Sequence, residues 1–287
     1  MFKIVLFLAA ISLQSQSLFA QDISGKLLLT AGVSQIEGAA GGGLTPWAFI
    51  TGYGTRDQIG ASTYYTKVDS QDYSLESYGV GVGFYDRVEL SFAKHSFNTL
   101  AVGQDLGLGH SYRLKQDIFG VKVKLYGDAV LDQASWMPQV AIGAQFKENK
   151  NEAVVKSLGV KDNKGIDYYV SATKILLNQS LLYNLTLRTT KANQLGILGF
   201  GGDKNDSYEL MYEGSVAYLL TRKVAIGLEY RAKPDNLSAI EEENWFDIFA
   251  AWTPTKNMSL TVAYVDLGQV ATKENQSGFY SSLQIGF

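Results

Sequence analysis

The chain has 287 residues, of which 46% are hydrophobic and 18% charged, and its formal net charge is −3. A soluble domain usually has about 25% charged residues and a nucleic-acid-binding protein a basic patch, so the composition argues against both classes. The absence of cysteine excludes disulfides and thiolate metal sites.

The first twenty residues have the order of a secretory signal peptide. A short basic start ends at Lys3, an apolar run covers residues 4–13, and a segment that ends on small residues closes at Ala20. An N-terminal membrane anchor is the alternative, but the apolar run is shorter than the ~20 residues that a transmembrane helix needs. We therefore predict a signal peptide at 1–20 and an exported domain at 21–287.

After the signal, no stretch of 18 or more apolar residues occurs, so a later membrane crossing is expected to use strands. Apolar and polar residues alternate instead. In the last segment Phe279, Leu283 and Ile285 fall on one face, and Tyr280 and Gln284 on the other. Many such segments of about ten residues are the signature of a transmembrane β-barrel. The polar face is rich in small, uncharged residues, which favours a barrel interior over the outer face of a soluble β-sandwich.

The predicted fold is all-β: a transmembrane antiparallel up-and-down β-barrel of about 14 strands, with short periplasmic turns and long extracellular loops. In chain order the strands are expected at residues 25–34, 46–54, 59–67, 75–85, 87–96, 116–127, 138–147, 166–175, 180–190, 207–219, 222–231, 245–253, 257–266 and 277–287. The glycine-rich residues 37–43 allow a second arrangement. There an N-terminal piece runs inward as a plug and about 12 strands remain.

Strand parity predicts which charged side chains point into the barrel. The predicted pore-lining residues are Arg87, Glu89, Lys122, Lys124, Arg188, Glu209, Glu213, Glu229, Arg231 and Asp247. Inward basic residues, Lys147 included, lie mainly on the fifth to seventh predicted strands and inward acidic residues on the tenth to twelfth, which would set up a field across a wet pore. Alternatively they pair into a closed network, such as Arg188 with Glu209 or Glu213 and Arg231 with Asp247, because unpaired charges in a dry interior are costly.

Two partly apolar loops are expected near the extracellular mouth. They cover residues 97–115 and 148–165, and each is predicted either to fold inward as a constriction or to pack against the other above the rim.

Catalytic and metal-binding motifs are weak, so we predict neither an enzyme nor a cofactor nor a metal. His95 stands beside Ser96, as a lipase would need, but parity places His95 on the lumen face. Clustered metal-ligating motifs are missing from the sequence. The alternating Gly79, Gly81 and Gly83 lack the spacing of a nucleotide-binding loop and instead leave room inside the wall.

The residues 26–38, the glycines 41–43 and the residues 44–55 resemble the N-terminal signature of an uncharacterised proteobacterial family of outer-membrane barrels, known only as a domain of unknown function. The resemblance extends over nearly the whole mature chain and implies location and fold, without an activity.

The C-terminal Tyr280, Leu283, Ile285 and Phe287 resemble the assembly signal of outer-membrane barrels. The resemblance implies that the barrel-assembly machinery reads this end of the chain. We further predict that Phe287 faces lipid and that the last strand pairs with the segment near Lys26–Gly32 to close the barrel.

The sequence thus predicts a bacterial outer-membrane channel for passive or weakly selective passage of small hydrophilic solutes. Two alternatives stay open: a transporter of apolar compounds with an N-terminal plug, and a non-conducting structural or adhesive barrel. The expected partners are outer-membrane lipid, lipopolysaccharide and the barrel-assembly machinery. No nucleic acid is expected, and the solute is not specified by the sequence.

Overall fold

The computed structural model describes Lys26 and residues 33–287, and two short strands in that part precede the barrel, β1 (Val33–Ser34) and β2 (Ala40–Gly41). The barrel strands are β3 (Ile59–Ser70), β4 (Ser74–Phe84), β5 (Val88–Asn98), β6 (Arg113–Tyr126), β7 (Gln139–Asn149), β8 (Lys164–Leu176), β9 (Leu181–Thr190), β10 (Glu209–Thr221), β11 (Val224–Arg231), β12 (Trp245–Thr255), β13 (Met258–Asp266) and β14 (Ser277–Gly286). They form one closed antiparallel barrel. The predicted signal peptide lies outside the described residues.

Closure of the barrel brings the last strand against β3. The register pairs Tyr280 with Val68 and Ile285 with Thr63, while the other edge of β14 pairs with β13. The predicted pairing of the terminal strand with the segment near Lys26–Gly32 is therefore wrong, because both edges of β14 are already occupied.

The barrel follows the second of the two predicted arrangements, with 12 strands and an inward N-terminal segment. Residues 33–52 are buried without interruption, and the predicted strand at 46–54 does not form. We call residues 33–54 the plug. The alternation that marks a wall strand is replaced here by glycines and Pro46, which fit a chain surrounded by protein on all sides.

The two ends of the barrel differ as the sequence predicted. The end that carries Phe287 has the tight turns 85–87, 222–223 and 256–257, and the opposite end has the long loops 99–112, 150–163, 191–208, 232–244 and 267–276. By the outer-membrane rule, the first end is periplasmic and the second extracellular. Short helices lie in two of the long loops, α1 (Val102–Asp105) and α2 (Glu152–Ser157).

Exposure along the wall strands alternates with a period of two. The outward residues of β14 include Phe279, Leu283 and Ile285, which are exposed apolar side chains, and Phe287 continues that face. Lipid provides no hydrogen bonds, so this apolar belt needs a sheet whose backbone groups are all paired, which closure supplies. In the part of the chain that the structure describes, no helix is long and apolar enough to cross a membrane.

Candidate functional site

The plug lies inside the barrel, and where it joins the first wall strand its backbone packs closely against glycines. Gly52 has a φ of +78°, and a side chain on Gly54 would come within 2.5 Å of the Gly60 backbone nitrogen. On the facing strand β4, a Cβ on Gly83 would lie 2.3 Å from the Thr51 carbonyl oxygen. Glycine at these positions is therefore needed for the backbone of the plug to run against the inner wall.

Inside the barrel, one plug carboxylate meets three wall cations. The carboxylate of Glu37 accepts a hydrogen bond from Arg231 Nη1 at 2.7 Å, pairs with Lys147, and lies 3.6 Å from Arg188 Nη2. Arg188 also bonds Glu213 at 2.5 Å, and Lys147 bonds Asp167 at 2.5 Å. We call this set the Glu37 network: Glu37, Lys147, Asp167, Arg188, Glu213 and Arg231. Its three cations balance its three carboxylates, as a dry interior requires.

Two further wall carboxylates hold the plug by its backbone. Glu89 accepts from the Thr51 N–H at 2.8 Å and the Ala40 N–H at 3.1 Å, and it pairs with Lys122 at 3.3 Å. Lys122 in turn donates to the carbonyl oxygens of Ala40 and Phe49. Buried backbone groups need partners, and here wall side chains rather than other strands provide them.

Glu229 binds the opposite side of the plug. Its carboxylate accepts from the Leu44 N–H, the Thr45 hydroxyl and the Ser215 hydroxyl, each at 2.7 Å. The next residue along, Pro46, offers its carbonyl oxygen to Thr186 Oγ1 at 2.8 Å and Ser171 Oγ at 3.1 Å. These contacts fix the middle of the plug to strands β8–β11.

Most of the predicted pore-lining residues lie inside the barrel, and all of these except Asp247 have bonding partners there. The buried members are Glu89, Lys122, Lys124, Arg188, Glu213, Glu229, Arg231 and Asp247. Arg188 pairs with Glu213, whereas Arg231 pairs with Glu37 and Glu213 rather than with Asp247. The charges in the centre thus face one another and the plug.

The structure does not place Arg87 or Glu209 in the lumen. Arg87 is exposed in the tight turn before β5, where its guanidinium donates to the carbonyl oxygens of Lys124 and Leu125. Glu209 lies half-buried at the extracellular start of β10 and accepts from the Asn205 amide. Both residues stand where a wall strand begins, so the barrel does not enclose them as it encloses the other members of the set.

Asp247 differs from the other buried charges. It faces Glu229 in the register of β11 and β12, and neither of its carboxylate oxygens has a hydrogen-bond partner among the described residues. The hydroxyl of Tyr280, which the assembly signal includes, is likewise buried without a partner in that part of the chain. Both lie against the side of the lumen where Gly43 packs on Glu229 and Tyr280.

The extracellular side is closed by residues 191–202, which we call the lid. Gln194 and Leu195 have φ values of +44° and +63°, and this left-handed stretch turns the loop down into the mouth. The Leu195 carbonyl oxygen accepts from Gln116 at 3.0 Å and from Lys147 of the Glu37 network at 3.3 Å. The sequence missed the lid, whose clearest signal is the apolar, glycine-spaced run at 195–201.

The two loops predicted as constrictions pack around the lid. Val102 in the 99–112 loop and Val155 and Val160 in the 150–163 loop are buried in one apolar cluster with Ile197 and Leu198 of the lid. They therefore support the lid at the extracellular mouth.

A buried ion pair in the 232–244 loop anchors the lid from the other side. Lys233 Nζ lies 3.0 Å from Glu242, whose carboxylate also accepts from the Gln194 N–H at 2.8 Å. Burial lowers the pKa of the Lys233 ammonium, and Glu242 opposes that shift. Burial likewise raises the pKa of the Glu242 carboxyl against the pull of Lys233.

Two small apolar cavities lie on either side of the plug. The outer cavity, of about 40 Å³, is lined by Ile36 and Leu44 of the plug, by the lid and by inward wall side chains such as Phe97 and Val265. The inner cavity, of about 60 Å³, is lined by Gly42, Gly43 and Trp47 together with apolar residues of β8–β12. Residues 42–44 thus form the partition between them.

A larger cavity of about 440 Å³ opens at the periplasmic end. It is lined by Lys26, Asp86 and Lys124, in which the Asp86 carboxylate bridges the two ammonium groups at 2.8 and 2.6 Å. Burial lowers the pKa of the Lys26 ammonium, an effect that Asp86 opposes. This vestibule gives water access to the periplasmic face of the plug.

The residues considered for catalysis and metal binding have other roles here. His95 Nε2 lies 2.8 Å from the Ile36 carbonyl oxygen of the plug, and Ser96 Oγ accepts from Arg113 on the outer side. His and Ser therefore do not meet. Across residues 33–287 and Lys26, no group of three or more potential metal-ligating side chains is found.

Comparison with protein families gives one match over most of the chain. Residues 30–284 match the family described as "Protein of unknown function (DUF3034)". The chain belongs to this family. The family resemblance inferred from the N-terminal signature is thereby confirmed, and a comparison with curated proteins gives no match.

Solved structures similar to this DUF3034 protein are outer-membrane barrels. The KdgM porin has a TM-score of 0.50 at 11% identity and covers 79% of this chain and 99% of its own. The NanC porin gives a TM-score of 0.50, 11% identity, and 79% and 98% coverage. Outer membrane phospholipase A from Escherichia coli gives 0.45, 10%, and 82% and 94%. The shared fold and the apolar belt indicate an outer-membrane location.

Proposed function

We propose that this protein transports neutral, apolar or weakly polar small molecules across the outer membrane, with the plug as its gate. The observation that carries the proposal is the pair of apolar cavities on opposite sides of residues 42–44. Withdrawal of this partition would join the two cavities, each of which is lined mainly by apolar side chains.

The lining of the lumen favours apolar solutes over hydrophilic ones. Inward side chains near the extracellular end include Val68, Leu75 and Phe97, and those near the periplasmic end include Ile175 and Leu182, all of them buried and apolar. A hydrophilic solute would lose its hydration at both ends, at a cost of roughly 2–7 kcal/mol per unpaired polar group. An apolar solute pays no such cost.

The way in which the plug is held suits a gate. Many of its backbone bonds go to wall side chains such as Glu89, Glu229 and Thr186, and its own pairing is limited to the short β1–β2 ladder, one bridge and a few turns. Release of the plug therefore breaks no hydrogen bond between wall strands. The barrel can stay closed to the bilayer while its lumen opens.

Passage of small hydrophilic solutes is the second candidate. The charged and amide side chains in the middle of the lumen favour it, since Lys147, Arg188 and Gln145 would line a polar waist once the plug has left. In the closed state those groups are paired with Glu37, Glu213 and one another.

A disulfide lock tests the proposal, because the chain has no cysteine of its own. Thr45 Oγ1 of the plug lies 2.6 Å from Ser215 Oγ of the wall, so Thr45→Cys with Ser215→Cys ties the plug in place. The matched control is Thr66→Cys with Ser282→Cys, whose hydroxyls lie 2.8 Å apart across β3 and β14 and join wall to wall.

The readout is uptake of a neutral aromatic fluorophore by intact Gram-negative cells that express each variant. Oxidation is expected to stop barrel-dependent uptake only in the plug-locked variant, and a reductant is expected to restore it. Unchanged uptake in the oxidised plug-locked variant contradicts the proposal. Redox-sensitive conductance steps or sugar flux in reconstituted bilayers, without fluorophore uptake, would support the hydrophilic channel instead.

A further inference from the structure

The outer cavity lies between the two parts that must separate for passage. Leu44 of the plug lines it from the periplasmic side, and Ile197 and Leu198 of the lid line it from the extracellular side. Its volume of about 40 Å³ has room for only one or two waters. A solute therefore occupies this place only as lid and plug move apart.

Aromatic rings form much of the wall of this cavity. Tyr73 and Phe97 pack with ring centroids 5.0 Å apart, and Trp245 lines the cavity from strand β12. The Lys233 ammonium lies 4.6 Å from the centroid of the Trp245 ring. Such rings favour a flat or hydrocarbon solute through area and offset packing.

The charged side chain beside this cavity, Lys233, is already paired. Lys233 is bound to Glu242 at 3.0 Å and to Gln194 Oε1 at 3.3 Å, and the Gln194 amide also donates to the Gln269 carbonyl oxygen. A charged solute would find no free counter-charge in the lining and would have to break this pair. The lining therefore selects for neutral solutes.

One polar group of the lining, the indole N–H of Trp245, differs from the others in its hydrogen bonding. The indole N–H of Trp245 is the buried side-chain polar atom of this cavity that has no hydrogen-bond partner among the described residues. Trp245 is 4% exposed, so water does not reach the group freely either. The other buried polar side chains there are satisfied; the Tyr73 hydroxyl, for instance, lies 3.3 Å from Thr272 Oγ1.

We propose that the outer cavity is the entry site for a neutral, flat or hydrocarbon solute that carries one hydrogen-bond acceptor, and that the Trp245 indole N–H binds this acceptor. The proposal rests on the proposed transport function and narrows its substrate class. A buried donor without a partner discriminates well, because a solute that supplies the acceptor gains a bond that a pure hydrocarbon cannot make.

The test compares acetophenone with ethylbenzene, which have nearly the same shape and differ in the carbonyl oxygen. Binding to the purified barrel is measured by ligand-observed NMR, and barrel-dependent uptake is measured in cells. The wild type is expected to prefer the ketone by roughly five- to tenfold beyond its preference in cells or micelles that lack the barrel, as one neutral hydrogen bond allows.

Trp245→Phe keeps an aromatic ring but removes the donor, so this excess preference should fall to about one. The control is Trp252→Phe, because Trp252 is exposed on the outer face of the same strand. Its preference should equal that of the wild type. Equal preference in the wild type and in Trp245→Phe, or no excess preference in the wild type, overturns the assignment.

Binding and uptake separate the two proposals. Ketone binding that depends on Trp245, without barrel-dependent uptake of either compound, leaves the site standing and contradicts the transport function. Barrel-dependent uptake of both compounds with no effect of Trp245→Phe does the reverse.

Discussion

The wall and the plug belong to one chain and lie against each other, yet their backbone groups find hydrogen-bond partners in different ways. Wall strands pair with each other around the full circle from β3 to β14. The plug is held largely by wall side chains. Glu89 and Glu229 accept hydrogen bonds from its N–H groups, and Lys122 and Thr186 donate to its carbonyl oxygens. A ladder is cooperative, whereas side-chain bonds break one at a time. We therefore expect the wall to stay folded under conditions in which the plug is released.

The largest effect is expected from deletion of Phe287, whose backbone bonds both the wall and the end of the plug. Its N–H and carbonyl oxygen pair with Ala61, and the same carbonyl accepts from the Tyr53 N–H at 2.9 Å. Deletion of Phe287 is expected to lower the outer-membrane level of the protein several-fold, because closure and the predicted assembly signal both lose their end. Fractionated membranes and immunoblotting provide the measurement.

Phe287→Tyr is the control, since it keeps an aromatic ring and every backbone bond. The molecules that do insert without Phe287 should retain the function of the full chain. A variant that lacks Phe287 and reaches normal outer-membrane levels would refute this prediction.

The alternation of apolar and polar residues predicted the wall strands. A wall strand meets lipid on one side and the lumen on the other, so successive residues differ in polarity. The strands from 59 onward lie within a few residues of their predicted positions. The plug meets protein on all sides, so its sequence carries no such contrast, and the strand predicted at 46–54 does not form. Only its glycines signalled the alternative.

The site was predictable by type but not by partner. Parity identified Arg188, Glu213 and Arg231 as inward charges, since parity depends only on the strand to which a residue belongs. Glu37, the partner that Arg188 and Arg231 share, comes from a segment whose path depends on tertiary packing. Likewise the lid residue Leu195 reaches Lys147 only through a left-handed turn that no local pattern specifies.

The second prediction breaks the plug and leaves the wall intact. Glu37→Ala leaves the three cations of the Glu37 network with two carboxylates, which should destabilise the docked plug by about 3–5 kcal/mol. Ser34→Cys is the reporter, because Ser34 is buried in β1 and its hydroxyl has no partner among the described residues. We expect a maleimide to label Ser34→Cys at least about a hundredfold faster in the Glu37→Ala background.

The exposed pair of Glu76 and Arg113 serves as the control for that comparison. Its atoms lie 2.8 Å apart on the outer side of the wall, where an ion pair contributes about 0–1 kcal/mol. Glu76→Ala should leave the labelling rate of Ser34→Cys unchanged. Equal labelling in the Glu37→Ala and Glu76→Ala backgrounds would mean that the Glu37 network does not hold the plug.

A smaller effect is expected from a single neutral bond to the plug. Thr186→Val keeps the shape of the side chain and removes the hydroxyl, which bonds the Pro46 carbonyl oxygen at 2.8 Å and also contacts Ser171 and Asn184 of the wall. The loss should be about 1 kcal/mol, or roughly fivefold in the labelling rate of Ser34→Cys. Thr66→Val removes a bond between two wall strands instead and should lower the unfolding temperature of the barrel without faster labelling. The reverse result would place the plug and wall in one cooperative unit.

The smallest effect, and the one with the opposite sign, is expected at Asp247. This carboxylate contributes no ion pair within the described residues and faces a second buried carboxylate, Glu229, across the β11–β12 register. Asp247→Asn removes an unpaired buried carboxyl without changing the side-chain shape, so the barrel should be as stable as the wild type or more stable by about 1 kcal/mol. Glu213→Gln is the contrast, because Glu213 pairs with Arg188 and Arg231 and its neutralisation leaves those cations short of a partner. Heat-dependent mobility on gels measures both variants, and a lower unfolding temperature for Asp247→Asn would show that this carboxylate, too, holds the closed lumen together.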